Sequence, residues 1–102
     1  MRNGGIVYIL SSPNRTTLYT GVTSDLQRRT YEHKTKFYES SFTKRYNCVV
    51  LVWYKYYNDI VEAIQEEKRI KAGTRKRKEK LVNDLNYEWK DLWEEVKDLR
   101  QY

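Results

Sequence analysis

The chain has little of what a disulfide scaffold, a membrane protein or a linker-rich assembly requires. Of its 102 residues, one is cysteine, one proline, one methionine and one histidine, and four are glycine. A lone Cys48 excludes an internal disulfide and any cysteine-based zinc site. Inside the apolar run Cys48-Val49-Val50-Leu51-Val52-Trp53 it reads as a buried, inert thiol. No apolar run approaches the roughly 20 residues of a membrane span. The first residues also lack the charged start and apolar stretch of a signal peptide, so a cytoplasmic protein with no membrane partner is expected. With no repeat or low-complexity linker, one domain is expected over residues 1–102. Its core should cover about 4–86, with an amphipathic helix over about 88–100.

What is present is charge and aromatic surface. The 39% apolar and 33% charged content would suit a disordered chain, but ten Tyr and three Trp argue for a folded core. A formal net charge of +6 favours an anionic partner, nucleic acid ahead of an acidic membrane surface. The plain alternative is a solvated surface with excess Lys.

Residues 5–10 are β-branched and aromatic and read as a strand, followed by a turn at 11–15 and a second strand at 18–22. The short connection predicts an antiparallel hairpin that sets Tyr8 and Tyr19 side by side. Ser24 with Gln27 has the form of a capping box, predicting a helix over about 25–35. Residues 36–46 read as a loop and 47–57 as the strongest strand. Asp59 should cap a second helix that Gly73 ends, and Thr74 a third carrying Leu81, Val82 and Leu85. Trp89, Leu92, Trp93, Val96 and Leu99 fall at helical spacing. The expected fold is α+β, a small three-stranded antiparallel sheet flanked by helices. The last apolar stripe is either core or, if exposed, a protein-interaction surface.

Three groups of residues sit where a core alone would not place them. On the second helix, Ile60, Ala63, Ile64, Ile70 and the stem of Lys71 share a stripe, and Glu67 falls near its middle, within ~20° of the axis. A carboxylate there costs several kcal/mol unless paired or bound to a cation. A buried ion pair or a stripe edge open to water would account for it, as would a metal-binding carboxylate at the rim of the sheet, and the metal-binding reading is preferred. On the first helix, Arg29 and His33 are stacked four apart, on the side of Leu26, Thr30 and Phe37, with Arg28 as the outward neighbour. A hydrogen-bonded core histidine and a snorkelling arginine are the bland readings. Finally, residues 68–80 carry eight Lys or Arg, four of them (Arg75, Lys76, Arg77, Lys78) in the first turn of a helix whose dipole disfavours cations there. A docked phosphate would reverse that penalty; a solvated basic face is the alternative.

Together these residues resemble the GIY-YIG nuclease domain, and in particular its small stand-alone members. Ile6-Val7-Tyr8 lies where the GIY tract is expected and Tyr19-Thr20-Gly21 where YIG is expected. Arg29 and His33 follow Gly21 by eight and twelve residues, and Glu67 stands at the place of the family's metal-binding glutamate. Thr43-Lys44-Arg45-Tyr46-Asn47 and Asn86-Tyr87-Glu88-Trp89 resemble further tracts of the stand-alone members. The resemblance spans roughly residues 4–93. Ile6 in place of the first glycine, Thr20 in place of the middle isoleucine, and Ala72-Gly73 where glycine-tryptophan is common are departures that remove no chemical group.

The resemblance implies an endonuclease that hydrolyses nucleic-acid phosphodiester bonds, DNA ahead of RNA, with one divalent cation, Mg²⁺ or Mn²⁺, on Glu67. Arg29 would clamp non-bridging oxygens, a task its planar fork suits. A tyrosine, either Tyr8 or Tyr19, would be the general base with help from His33, since an unperturbed phenol titrates near ~10. Nucleic-acid contacts are expected from Arg28, Lys44, Arg45, Lys71, Arg75, Lys76, Arg77, Lys78 and Asn86. The rival reading is a binding module on the same fold that cleaves nothing alone. A protein partner that supplies specificity, and a monomer or weak dimer, complete the expectations.

Overall fold

Val7 and Ile9 point to one side of β1 (Gly5–Ser11) and Tyr8 and Leu10 to the other, and all four are fully buried. A strand buried on both faces belongs at the centre of its sheet, with cover on each side. The computed structural model, which describes residues 4–35 and 42–98, has this arrangement. β1 pairs antiparallel with β2 (Leu18–Thr23) and with β3 (Val50–Tyr57), giving the order β2-β1-β3. Between and after the strands come α1 (Leu26–Lys34), α2 (Phe42–Arg45), α3 (Ile60–Lys71), α4 (Arg75–Leu85) and α5 (Trp93–Val96). The fold is α+β with a three-stranded antiparallel sheet, as the residue pattern predicted.

One face of the sheet is covered by α3 and α4, where Ala63, Ile70 and Val82 meet Val7, Ile9, Val52 and Trp53. The register shifts between Ile9 and Leu10, so Leu10 faces Leu51 and Val52 is the extra residue; this bulge lets Val52 and Trp53 both reach the same core. A Cβ on Gly5 would lie 2.6 Å from Ile60 Cδ1 and 2.7 Å from Ala63 Cβ. Glycine at that point is what lets α3 approach the sheet. The other face packs Tyr8, Leu10 and Leu51 against Leu26, Cys48, Leu92 and Val96. Burial lifts the Cys48 thiol to about 11, as suits an inert side chain.

Several local expectations change. Asp25, not Ser24, caps α1: its side chain accepts from Arg28 N–H, while Gln27 donates across to the carbonyl of Val96 at 2.7 Å. Asp59 and Thr74 cap α3 and α4 as predicted. The segment read as loop contains α2, whose Thr43 is buried, and β3 begins at Val50 instead of 47. Ile64 is 37% exposed, so the inward stripe of α3 is narrower than its spacing suggested. The final amphipathic pattern does not form one helix from 88. Trp89 sits at φ 56, a left-handed conformation costing about 1–2 kcal/mol per residue in a helix, and among the described residues α5 covers only Trp93–Val96. Leu92 and Val96 are nonetheless core, and Trp89 packs on the α3/α4 cluster. Phe37 and Leu99 lie outside the described residues. No helix of the described residues is long and apolar enough to cross a membrane.

Candidate functional site

The hairpin register places Tyr8 opposite Gly21 and Tyr19 opposite Leu10. The two phenols are therefore diagonal neighbours, ring centroids 6.3 Å apart, and not directly opposed. A Cβ at position 21 would meet Tyr8 Cζ and Oη at 2.5 Å and Tyr19 Cε2 at 3.0 Å. Glycine is needed there for the space it leaves, because only a bare Cα lets the Tyr8 ring lie across β2.

α1 completes this wall. His33 is buried, with Nε2 3.2 Å from Tyr8 Oη and Nδ1 2.6 Å from Thr43 Oγ1. Its ring also packs on Tyr19, centroids 5.6 Å apart. Burial first, and the Arg29 guanidinium second, lower His33 from its ordinary 6.5 to about 4. Near neutral pH the imidazole is uncharged, one nitrogen donating and the other accepting. Burial likewise raises the Tyr8 phenol well above its ordinary 10; Tyr19, Glu67 and Glu32 push the same way and Arg29 opposes them. Thr43, on the segment expected to be a loop, is the residue that spacing alone could not assign. Its side chain is read only once α2 is seen folded against His33.

Arg29 sits beside Glu32, Nε to Oε1 3.5 Å, and Arg28 pairs with the other oxygen of the same carboxylate at 3.3 Å. Glu32, like Thr43, was not singled out by pattern; its i,i+3 and i,i+4 spacing to two arginines was the available signal. Glu67 arrives from α3. Its side chain is only 12% exposed, and Lys71 Nζ stands 3.7 Å away. That is a loose ion pair at a half-buried edge, so both readings of this carboxylate retain support. Its charge is felt at the Tyr8 phenol, which ties α3 to the hairpin electrostatically.

Among the described residues no three His, Cys, Asp or Glu side chains converge. The donor set therefore does not fit a closed metal cage. One mostly buried carboxylate, held by no contact shorter than 3.7 Å among its ion pairs, fits a hard cation that keeps water and phosphate oxygens as its other ligands.

The expected nucleic-acid residues divide by position. Arg28, Arg45, Lys71, Lys76 and Arg77 are exposed, and Lys44 and Lys78 are half-buried. Arg75 is committed to the fold: it pairs with Glu79 at 2.9 Å and donates to the carbonyls of Thr16 and Arg15, fastening α4 to the hairpin loop. Asn86 is also committed. It is buried, its Nδ2 donates to the carbonyls of Val52 and Lys90, and its Oδ1 accepts from Lys90 N–H. A nucleic-acid contact from Asn86 gives way to a structural role, because both ends of its amide are already bonded inside the molecule.

A three-stranded sheet with this tyrosine hairpin, backed by an Arg/His helix and a Glu helix, defines a GIY-YIG-type domain. The chain belongs to that family, since the GIY-YIG catalytic domain matches it over residues 4–80. It is 37% identical over 78 residues to a UPF0213 protein of Natronomonas pharaonis, covering 76% of this chain and 89% of that one. A UPF0213 protein of Bacillus pumilus is 31% identical over 83 residues, covering 81% and 84%. The solution structure of the UPF0213 protein from Bacillus halodurans is similar with a TM-score of 0.53 at 30% identity, covering 84% of this chain and 92% of that one.

Proposed function

We propose that the protein is a metal-dependent endonuclease acting on nucleic-acid phosphodiester bonds, with DNA the favoured substrate. The observation that carries the reading is the run Tyr8 Oη–His33 Nε2–His33 Nδ1–Thr43 Oγ1, at 3.2 and 2.6 Å, beside Arg29 and Glu67. A proton path on a neutral imidazole, a guanidinium and one available carboxylate are the groups that phosphodiester hydrolysis calls for. A divalent cation, Mg²⁺ or Mn²⁺, held by Glu67 would supply Lewis-acid stabilisation of the leaving oxygen.

The chain's own residues divide the remaining work. The arrangement in which His33 Nδ1–H donates to Thr43 leaves Nε2 to accept the Tyr8 proton, so Tyr8 is favoured over Tyr19 for passing a proton inward. Burial holds the resting Tyr8 phenol protonated, and a cation at the site would act with Arg29 to lower its pKa. Arg29, released from Glu32, would bind non-bridging oxygens bidentately. The exposed Arg and Lys of α3 and α4 would hold the backbone without reading sequence, making affinity strongly salt-dependent. Sequence selectivity would then come from a protein partner, with the chain acting as one domain.

The test is nicking of supercoiled plasmid and of labelled oligonucleotides with Mg²⁺ and with Mn²⁺. Glu67→Ala and Arg29→Ala should each abolish cleavage while keeping the fold; undiminished cleavage by Glu67→Ala removes this assignment. The second reading, a binding module, draws on the Arg29–Glu32 pair, which already gives the guanidinium a carboxylate partner. Retained DNA binding with no metal-dependent nicking would favour it.

A further inference from the structure

Next to the tyrosine hairpin the molecule spends large aromatic surface on solvent. Phe42 is 46% exposed and Tyr46 43% exposed, on or directly after the short helix α2. α2 is anchored through buried Thr43, while the rings at 42 and 46 leave nearly half of their surface in solvent. The rings are nevertheless arranged in series. His33 packs on Tyr19 at 5.6 Å, Tyr19 on Phe42 at 6.0 Å, and Phe42 on Tyr46 at 4.6 Å between centroids. The Arg45 guanidinium lies 5.5 Å from the centre of the Tyr46 ring at the outer end. The series starts at the imidazole bonded to Tyr8 and ends at a cation on the surface.

A solvent-facing aromatic row with a cation at its end, in a chain of net charge +6, suits one class of ligand. Phosphates alone would call for Lys and Arg; an apolar protein partner would not match the charge. Nucleobases whose faces are free offer flat apolar surface joined to an anionic backbone, and stacking on such rows does not depend on sequence. Bases in a continuous duplex have no free face, except at its ends.

We propose that Phe42 and Tyr46, continuing from Tyr19, form a stacking platform for unpaired bases next to the phosphodiester that enters the Tyr8–His33 site. The substrate is then a single strand, or a duplex with a single-stranded branch or end. This rests on the reading of the protein as acting on nucleic acid. Arg45 neutralises the backbone as it leaves the platform, and Thr43 couples the platform to the imidazole, because α2 carries Phe42 next to the Thr43 that bonds His33.

The experiment measures fluorescence anisotropy of a labelled single-stranded oligonucleotide and of a covalently closed hairpin duplex of equal length, in EDTA so that no cleavage intervenes. Phe42→Ala and Tyr46→Ala should each weaken single-strand binding about tenfold, within the range for loss of one base–aromatic stack, and change duplex binding less than about threefold. Phe42→Tyr and Tyr46→Phe, which keep the rings, should restore it. An abasic strand should bind the unaltered protein as weakly as the normal strand binds the double variant, with no further loss when the two are combined. That arm reads stacking from the ligand side and needs no change to the protein. Equal loss on single strand and duplex, or no loss on either, overturns the platform while leaving the nuclease proposal standing. A protein that binds neither ligand overturns both. Single-strand stacking without metal-dependent cleavage of any substrate overturns the nuclease proposal alone.

Discussion

The two faces of the sheet solve the same packing problem with different chemistry. On the α3/α4 side the central strand presents Val7 and Ile9, and the helices answer with Ala63, Ile70 and Val82. On the α1 side it presents Tyr8 and Leu10, and the helix answers with Leu26 but also with His33, itself bonded to Thr43. Burial of aliphatic groups stabilises in proportion to area, whereas a buried phenol and imidazole must be given partners merely to break even. A fold that needed only stability would use the first solution twice. The second face instead buries a hydrogen-bonded polar run, Tyr8–His33–Thr43, and that contrast can be tested by perturbing each face separately.

The largest effect is expected at the polar edge. Glu67→Ala should reduce metal-dependent nicking at least about 10³-fold, with a thermal midpoint close to the parent, since the carboxylate's ion pair is loose. Plasmid nicking beside a calorimetric melt reads both. Ile70→Ala, on the same helix but inside the aliphatic α3/α4 core, should do the reverse, costing about 2–5 kcal/mol in urea unfolding while cleavage per folded molecule is retained.

The two glycines make the sharpest pair. Gly5→Ala and Gly21→Ala each drive a methyl to within 2.7 Å or less of a packed neighbour, so each should cost about 1–3 kcal/mol. Only Gly21→Ala displaces the Tyr8 ring, so only it should also lower the cleavage rate of the folded fraction. Equal loss of activity in both would show that the faces are not separable.

Smaller effects are expected along the His33 path. Thr43→Val removes the partner of Nδ1 and should cost about 1 kcal/mol, with a drop of about tenfold in cleavage rate. His33 also makes stability depend on pH. Its folded pKa, about 4, lies below the ordinary 6.5, so the unfolded chain takes up the proton first as pH falls. This contribution is complete above about 6.5, is lost as pH drops toward about 4, and then levels off. His33→Gln should flatten that part of the profile in urea midpoints measured at pH 7, 5.5 and 4. An unchanged profile would remove His33 as its source.

Much of this was legible from residue order because its causes are local. Runs of β-branched and aromatic residues marked β1 and β3, and Asp59 and Thr74 announced α3 and α4, because a capping side chain bonds a backbone N–H two or three residues away. Arg29, His33 and Glu67 stood out by falling on inward faces, a property of helical spacing alone. What failed to show has non-local causes. Asp25 displaced Ser24 as the cap, and Gln27, needed for a capping box, instead reaches Val96. Trp89 breaks the helical run in a left-handed conformation at the point where Asn86 bonds Val52 and Lys90. α2 is only four residues long, below any periodic signal, and is held by Thr43 on His33 and by Tyr19 against Phe42.

By itself, then, the order of residues determined the α+β class, the hairpin with its two tyrosines, and the helical faces that carry Arg29, His33 and Glu67. These follow from backbone propensity, side-chain period and short-range hydrogen bonds. Only the tertiary structure decided that the Tyr8 phenol hydrogen-bonds the imidazole while the Tyr19 ring packs on it, that Thr43 partners its other nitrogen, that Gly21 is bare to admit a ring, and that Asn86 belongs to the interior. Each of those depends on two segments, distant in the chain, coming within an ångström-scale tolerance of one another. Such tolerance is set by packing across the sheet and not by any neighbour in sequence.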